Sequence, residues 1–362
     1  MYRKLFSVAL LMGAVLLTGC LKSEGNENQG KEYVVTEGAY VINSGDPENG
    51  KDGTLTYIDY NTATAVKNIC PIGSNPSDVL VYGGKVYVAG CGSNNIYVIN
   101  KKDRSLIDKI NTVDELGEDA GFEPNSVAAY GSNVYVSTHG GYVAVIDTTS
   151  LTVTNKFKVG SYPEGMGVGI VESNSTKEAT LYVANSDNGN GNGSISKINL
   201  GTGNVSEIKN DLIKNPRKVV VGGTSAFVLD YGTKDAEGNQ KGNGVYYVSD
   251  NNVSLVIDGA TNMTAGGSSI VTYNYLAGST NADYKVCNLY YNTVSSFYLN
   301  GDSSYPMTQP SAISVDPNTG YLLIGTNGYT NLYDGNGNFV KSFETGDKPC
   351  SISYSYGKQV IK

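Results

Sequence analysis

The chain has 362 residues, among them 45 Gly, 28 Tyr, five Cys, a single His and no Trp. Its formal charge of −8 comes from 34 acidic against 26 basic residues. That balance excludes nucleic acid as a partner, which needs clustered Lys and Arg, and one His leaves a Ser–His–Asp device only one base to draw on.

Arg3 and Lys4 followed by the apolar run 5–17 read as a secretion signal, too short and too early for a spanning helix. The run closes on Leu17-Thr18-Gly19-Cys20, which resembles the bacterial lipobox. That resemblance implies removal of residues 1–19 and lipid on Cys20. Losing the signal takes Arg3 and Lys4 and no acid, so −8 becomes −10. The polar stretch 21–31 carries no hydrophobic anchor. Residues 20–36 therefore read as lipidated Cys and tether, and 37–362 as the folded domain.

A repeat of about 45 residues runs through that domain. Pro76, Pro124, Pro163, Pro216, Pro310 and Pro349 mark its starts, with Asn262 filling the one gap. Eleven residues on stands an aromatic in most units: Tyr87, Tyr135, Phe227, Tyr273 and Tyr321. Within residues 75–100, Val79 and Val81 alternate, Tyr82-Gly83-Gly84 turns, Val86-Tyr87-Val88 forms a second strand and residues 96–99 a third. Most units add a fourth, as at 153–159. Helical periodicity is nearly absent; residues 113–119 read as one acidic turn in a loop. Four short strands per unit predict an all-β fold, a seven-bladed β-propeller of antiparallel blades. The segment after Pro349 is one more first strand, and 39–60 supplies the later strands of the same blade. The C-terminus thus closes the ring onto the N-terminal blade and protects its edges. Residues 357–361 also resemble a second strand, which leaves the split of that blade open.

Four cysteines besides Cys20 remain: Cys70, Cys91, Cys287 and Cys350. In an exported protein they allow three pairings. Cys70 ends one unit and Cys91 opens a loop of the next, so this pair can meet; free buried thiols are the alternative. No CxxC or Cys/His cluster is read in the sequence, so no metal site is expected. The segments 187–193 and 334–338 fail the EF-hand pattern and read as turns.

The loops between second and third strands share one face: residues 43–53, 90–95, 138–141, 185–193, 230–244, 277–283 and 326–329. They are rich in Asn, Asp, Ser, Gly and Tyr, and loops on a rigid scaffold carry binding residues. Candidate ligand-binding residues are Asn43, Asp46, Asn94, His139, Tyr142, Tyr162, Asn185, Asp187, Asp230, Tyr231, Asn327 and Tyr329. No G-x-S-x-G, Walker A or H-E-x-x-H occurs, so the expectation is a binding protein and not an enzyme. A lyase or lactonase using face carboxylates is the weaker alternative.

The units Val86-Tyr87-Val88-Ala89 and Val134-Tyr135-Val136-Ser137, each followed by an Asn/Gly loop and a Val-Ile-Asn or Val-Ile-Asp strand, resemble YVTN-type seven-bladed propellers. The likeness covers nearly all of 37–356. The lipobox, the tether and the opening stretches 37–43 and 53–57 are together similar to surface-lipoprotein propellers of gut-type Gram-negative bacteria, among them the cobalamin-binding BtuG family. That resemblance implies an outer-membrane, surface-exposed lipoprotein. It would capture cobalamin or a related corrinoid for a TonB-dependent outer-membrane transporter and have no cofactor of its own. It transfers no individual contact, and residues 22–24 leave a periplasmic orientation open. A scaffold for a glycan or protein partner is the other reading.

Overall fold

The computed structural model describes residues 31–361 apart from 174–175, 223–224, 277–278, 280 and 290–292. The signal, Cys20 and the tether up to residue 30 lie outside the described residues, as does part of the loop 277–283.

Seven four-stranded antiparallel sheets build the fold. The second blade is Pro76–Tyr82, Lys85–Gly90, Asn95–Asn100 and Leu106–Asn111; the third is Pro124–Tyr130, Asn133–Thr138, Tyr142–Asp147 and Val153–Lys158. The fourth is Pro163–Ser173, Thr176–Asn185, Ser194–Asn199 and Val205–Ile208; the fifth is Pro216–Gly222, Ser225–Asp230, Gly244–Val248 and Val253–Asp258. The sixth is Asn262–Gly266, Ser269–Asn274, Asp283–Asn288 and Thr293–Phe297; the seventh is Ala312–Val315, Leu322–Thr326, Tyr329–Tyr333 and Phe339–Glu344. In the first blade Pro349–Ile361 is innermost, followed outward by Lys31–Asn43, Thr54–Asp59 and Thr64–Val66. Inner strands of successive blades are neighbours all the way round, so the ring is a seven-bladed β-propeller.

Alternation explains why the second strands read as unbroken apolar runs. Val86 and Val88 face the first blade, whereas Tyr87 and Ala89 face the third. A strand buried on both faces has no polar side to show. Seven hydrophobic clusters follow, one between each pair of adjoining blades. Each fully buried Val, Leu or Ile in them contributes roughly 1.5–3 kcal/mol.

The ring closes as the repeat predicts. Pro349–Ile361 pairs with Lys31–Asn43 from Lys31↔Ile361 to Asn43↔Pro349. Residues 357–361 continue this inner strand instead of starting a second one. Pairing also reaches back to Lys31, so residues 31–36 belong to the sheet and not, as composition suggested, to the tether.

Each proline performs a local task. The residue before it has positive φ at Asn75, Glu123, Tyr162, Gln309 and Lys348, between 47° and 55°. Such left-handed backbone turns the chain sharply into the inner strand, against a steric cost of about 1–2 kcal/mol per residue. The register then shifts just after Pro76, Pro124, Pro163, Pro216 and Pro349. These are β-bulges, which re-aim a side chain. Ser77, Asn125, Glu164, Arg217 and Cys350 occupy the bulged positions.

The sixth blade corrects the repeat. Its inner strand has no bulge and pairs from Asn262↔Tyr273. The Asn262 Oδ1 accepts from the Met263 N–H at 2.8 Å, as the Asp78 Oδ1 accepts from Val79 at 2.9 Å. Asn262 thus matches Asp78, two positions past the proline, and Ala260 stands where the proline would be. The acidic segment forms two short helices, Thr112–Leu116 and Glu118–Gly121; the Asn111 side chain caps the first by accepting from Val113 and Asp114.

Candidate functional site

The face bearing the second-to-third loops also receives the entries to the inner strands. Between the second and fifth blades these converge. Glu123 precedes Pro124, Tyr162 precedes Pro163, and His139 follows the strand ending at Thr138. The His139 ring stacks on Tyr162 with centroids 3.8 Å apart and planes at 17°. Its Nδ1 lies 2.8 Å from the Glu123 Oε2, and the Tyr162 hydroxyl donates to the same oxygen at 3.4 Å. The backbone repeats the tie, with the His139 N–H donating to the Glu123 carbonyl at 3.2 Å.

Glu164 is the hub beside this pair. It is 6% exposed. Its carboxylate accepts from the Arg217 guanidinium, from Asn125 at 2.6 Å and from Ser186 at 3.2 Å. The His139 Nε2 stands 3.7 Å from the Glu164 Oε2 and has no hydrogen-bond partner. Arg217 in turn lies over the Tyr231 ring, 5.6 Å from its centroid. Deeper in the channel, Asp78 accepts from Ser126 at 2.8 Å and Ser351 at 2.7 Å, and Lys218 reaches Asn262 at 3.4 Å. The Lys218 ammonium is held below its ordinary range by burial, which the Asp78 charge opposes.

Cys91 completes the cluster. Its sulfur, a Glu123 carboxylate oxygen and a His139 ring nitrogen all lie within 4.8 Å of one another. Burial, then the charges of Glu123 and Glu164, push this thiol up to about 12. All four described cysteines are free. Of the two readings left open, free thiols hold and the Cys70–Cys91 pair does not form: Cys70 packs in the cluster between the first and second blades, and Cys91 turns toward the acids.

Burial pushes the His139 imidazolium pKa down, but the two glutamates outweigh it and the net shift is up from 6.5. A raised folded-state pKa stabilises the fold fully below the unfolded value and loses that contribution as pH climbs through the raised one. Urea midpoints in chelator-treated buffer are expected to fall as pH rises above about 6.5, the ordinary histidine value. The fall should flatten in His139→Gln. Identical slopes in the two proteins would show that the glutamates do not hold the proton there.

The sequence candidates divide. His139 and Tyr162 meet directly, Asn94 joins them by accepting from the Glu123 N–H at 2.7 Å, and Tyr231 joins through Arg217. Asn43, Asn185 and Asp230 are buried to within 1% and do not face solvent. Each ends a second strand, where its side chain turns inward and staples the adjoining connection. Asn43 donates to Thr54 at 3.0 Å and to the Thr345 carbonyl at 3.3 Å, and Asn185 donates to Ser196 at 2.9 Å. Asp230 accepts from the backbone of Lys214, Asn215 and Gly232. Thr138 fills the same place, donating to the Ala120 carbonyl at 2.6 Å.

The remaining candidates stand apart from the cluster. Asp46 and Asp187 organise their own turns with Asn49 and Asn192. Tyr142 packs between the second and third blades under Lys156. Asn327 is exposed at a hairpin tip, and Tyr329 meets Tyr305 edge to face at 5.9 Å. Glu123, Asn125, Glu164 and Arg217 escaped the sequence reading. The signal for three of them is the polar residue that follows each blade-entry proline. A separate cleft of about 540 Å³ lies between the sixth and seventh blades, lined by Tyr284, Phe297, Met307 and Tyr333, and none of the candidates lines it.

No family model and no curated protein matches the chain. Solved structures do. Hydrazine synthase of Kuenenia stuttgartiensis is similar over 79% of this chain and 95% of that one, at 15% identity and a TM-score of 0.60. A Bacteroides fragilis protein described as a candidate 6-phosphogluconolactonase is similar over 88% and 98%, at 13% identity and 0.58. The WD40 repeats of RRP9 follow with 77% and 84%, 10% identity and 0.57. At such identities the shared feature is the architecture, and by it the chain is a β-propeller.

Proposed function

We propose that the loop face is a capture site for cobalamin or a related corrinoid and performs no chemistry on it. Cys20 would carry the lipid anchor, with the protein at the outer-membrane surface and a TonB-dependent transporter as its partner. The supporting observation is the grouping of aromatic faces with polar groups at one channel mouth: the His139–Tyr162 stack, Tyr231 over Arg217, and the amides of Asn94 and Asn125. A corrinoid is a broad disc edged with amides. It calls for apolar area beside many hydrogen-bonding groups spread across a wide face.

Calorimetric titration with cyanocobalamin tests the reading. Tight one-to-one binding is expected, weakened about tenfold by Tyr162→Ala or Tyr231→Ala, a magnitude typical of one aromatic contact. No heat at micromolar concentrations would overturn it and leave a glycan or protein ligand on the same face.

A further inference from the structure

We infer that Cys91, Glu123 and His139 form a zinc site at the mouth of the channel. The three donors come from separate segments: the turn after a second strand, the entry to an inner strand, and the next blade's loop. Their ligand atoms nevertheless lie within 4.8 Å of one another.

A second observation points to the same place. The His139 side chain is only 9% exposed, and its Nε2 has no hydrogen-bond partner although a carboxylate oxygen stands 3.7 Å away. An unpaired ring nitrogen in a polar, buried setting is costly. A cation held between the Glu123 carboxylate and the Nδ1 that faces it would fix the proton on Nε2 and aim that N–H at the Glu164 carboxylate, the carboxylate–histidine–metal arrangement of bound imidazoles.

Charge and chemistry select the ion. The Glu164 carboxylate is matched by Arg217. What is left is the Glu123 carboxylate and the Cys91 sulfur, which as a thiolate brings the local charge to −2. One divalent cation neutralises it. A thiolate, an imidazole and a carboxylate make a zinc donor set, whereas calcium and magnesium take oxygen ligands.

Geometry allows closure. Zinc–ligand bonds of roughly 2.0–2.3 Å put tetrahedral donors about 3.5 Å apart, so separations near the 4.8 Å limit must shorten by about 1 Å while the 2.8 Å approach of Nδ1 to the Glu123 carboxylate opens. The Glu123 side chain, 44% exposed, can move and gives an entry path. Cys91 is buried, and His139 is held by the Tyr162 stack and by its backbone tie to Glu123. Asn94 fixes the Glu123 backbone from the other side. Three protein ligands leave a fourth position for water or for a donor atom of a molecule on the loop face. The inference does not depend on the corrinoid reading, because a titration with metal alone contains no corrinoid.

The test uses the whole protein, reduced with a phosphine and stripped by a chelator. Zn²⁺ is titrated by calorimetry and Co²⁺ by absorption. One ion per chain is expected, with a thiolate-to-cobalt charge-transfer band. Cys91→Ser should lose the band, and His139→Gln should weaken Zn²⁺ binding by about 100-fold or more. Glu123→Gln should weaken it by at least about tenfold, and Cys287→Ser should keep wild-type behaviour. Circular dichroism checks folding of each variant; if Cys91→Ser misfolds, the His139 and Glu123 variants decide. Absence of stoichiometric binding, a band that survives Cys91→Ser, or affinity unchanged in the His139 and Glu123 variants would overturn the assignment.

Discussion

Deleting residues 349–362 is expected to abolish cooperative folding of the entire ring. Pro349–Ile361 is paired along its length with Lys31–Asn43. It also places Ile352 and Tyr354 between the seventh and first blades, and Cys350 against the cluster between the first and second. The Tyr354 hydroxyl donates to the Ser314 carbonyl at 2.7 Å, and Ser351 donates to Asp78 on the neighbouring inner strand. A ladder of this length is worth about 10 kcal/mol at roughly 1 kcal/mol per net hydrogen bond. Total stabilities are commonly about 5–15 kcal/mol, so the lost pairing alone removes most of the margin. Urea unfolding followed by circular dichroism should show no sigmoidal transition in the truncated chain. A transition near the wild-type midpoint would mean that the open ring stands without its last strand.

Glu164→Ala is expected to cost about 3–5 kcal/mol, the range for breaking a buried ion pair by removing one partner. The Arg217 guanidinium would lose its counter-charge, and its Nε already has no hydrogen-bond partner. Asn125 and Ser186 would each lose an acceptor. Glu164→Gln keeps the shape and part of the bonding and should cost less, about 1–3 kcal/mol. Urea denaturation of the two variants checks the order. An Ala variant within about 0.5 kcal/mol of wild type, the scatter of ordinary surface changes, would mean that water replaces the carboxylate.

The ring was legible because its signals are local. A proline, a Gly turn and an apolar run such as Val86-Tyr87-Val88 lie within one 45-residue unit, and both-sided burial writes the strand plainly into the sequence. The sixth blade misled because its proline is missing: with no bulge to count, Asn262 took a place two residues early. The site was less legible for three physical reasons. Polar residues at the end of a second strand look like loop residues, yet Asn43, Asn185 and Asp230 turn inward to satisfy the adjoining connection. The bulged position after each proline varies in chemistry, from Ser77 to Arg217, so its polar members do not stand out as one repeated motif. Cys91, Glu123 and His139 belong to two blades, and no linear spacing announces their meeting.

The first blade also sets a direction. Lys31 begins its strand at the end of the ring away from the second-to-third loops, and Asn43 finishes it among them. Lys31 therefore lies on the side of the ring opposite His139 and Tyr162. On the proposed reading of a lipid-anchored N-terminus, the polar mouth would be the face remote from the attachment. On the proposed capture reading, handing a ligand from that face to a partner in the bilayer would call for the ring to reorient. Orientation, as much as affinity, would then govern the traffic through this face.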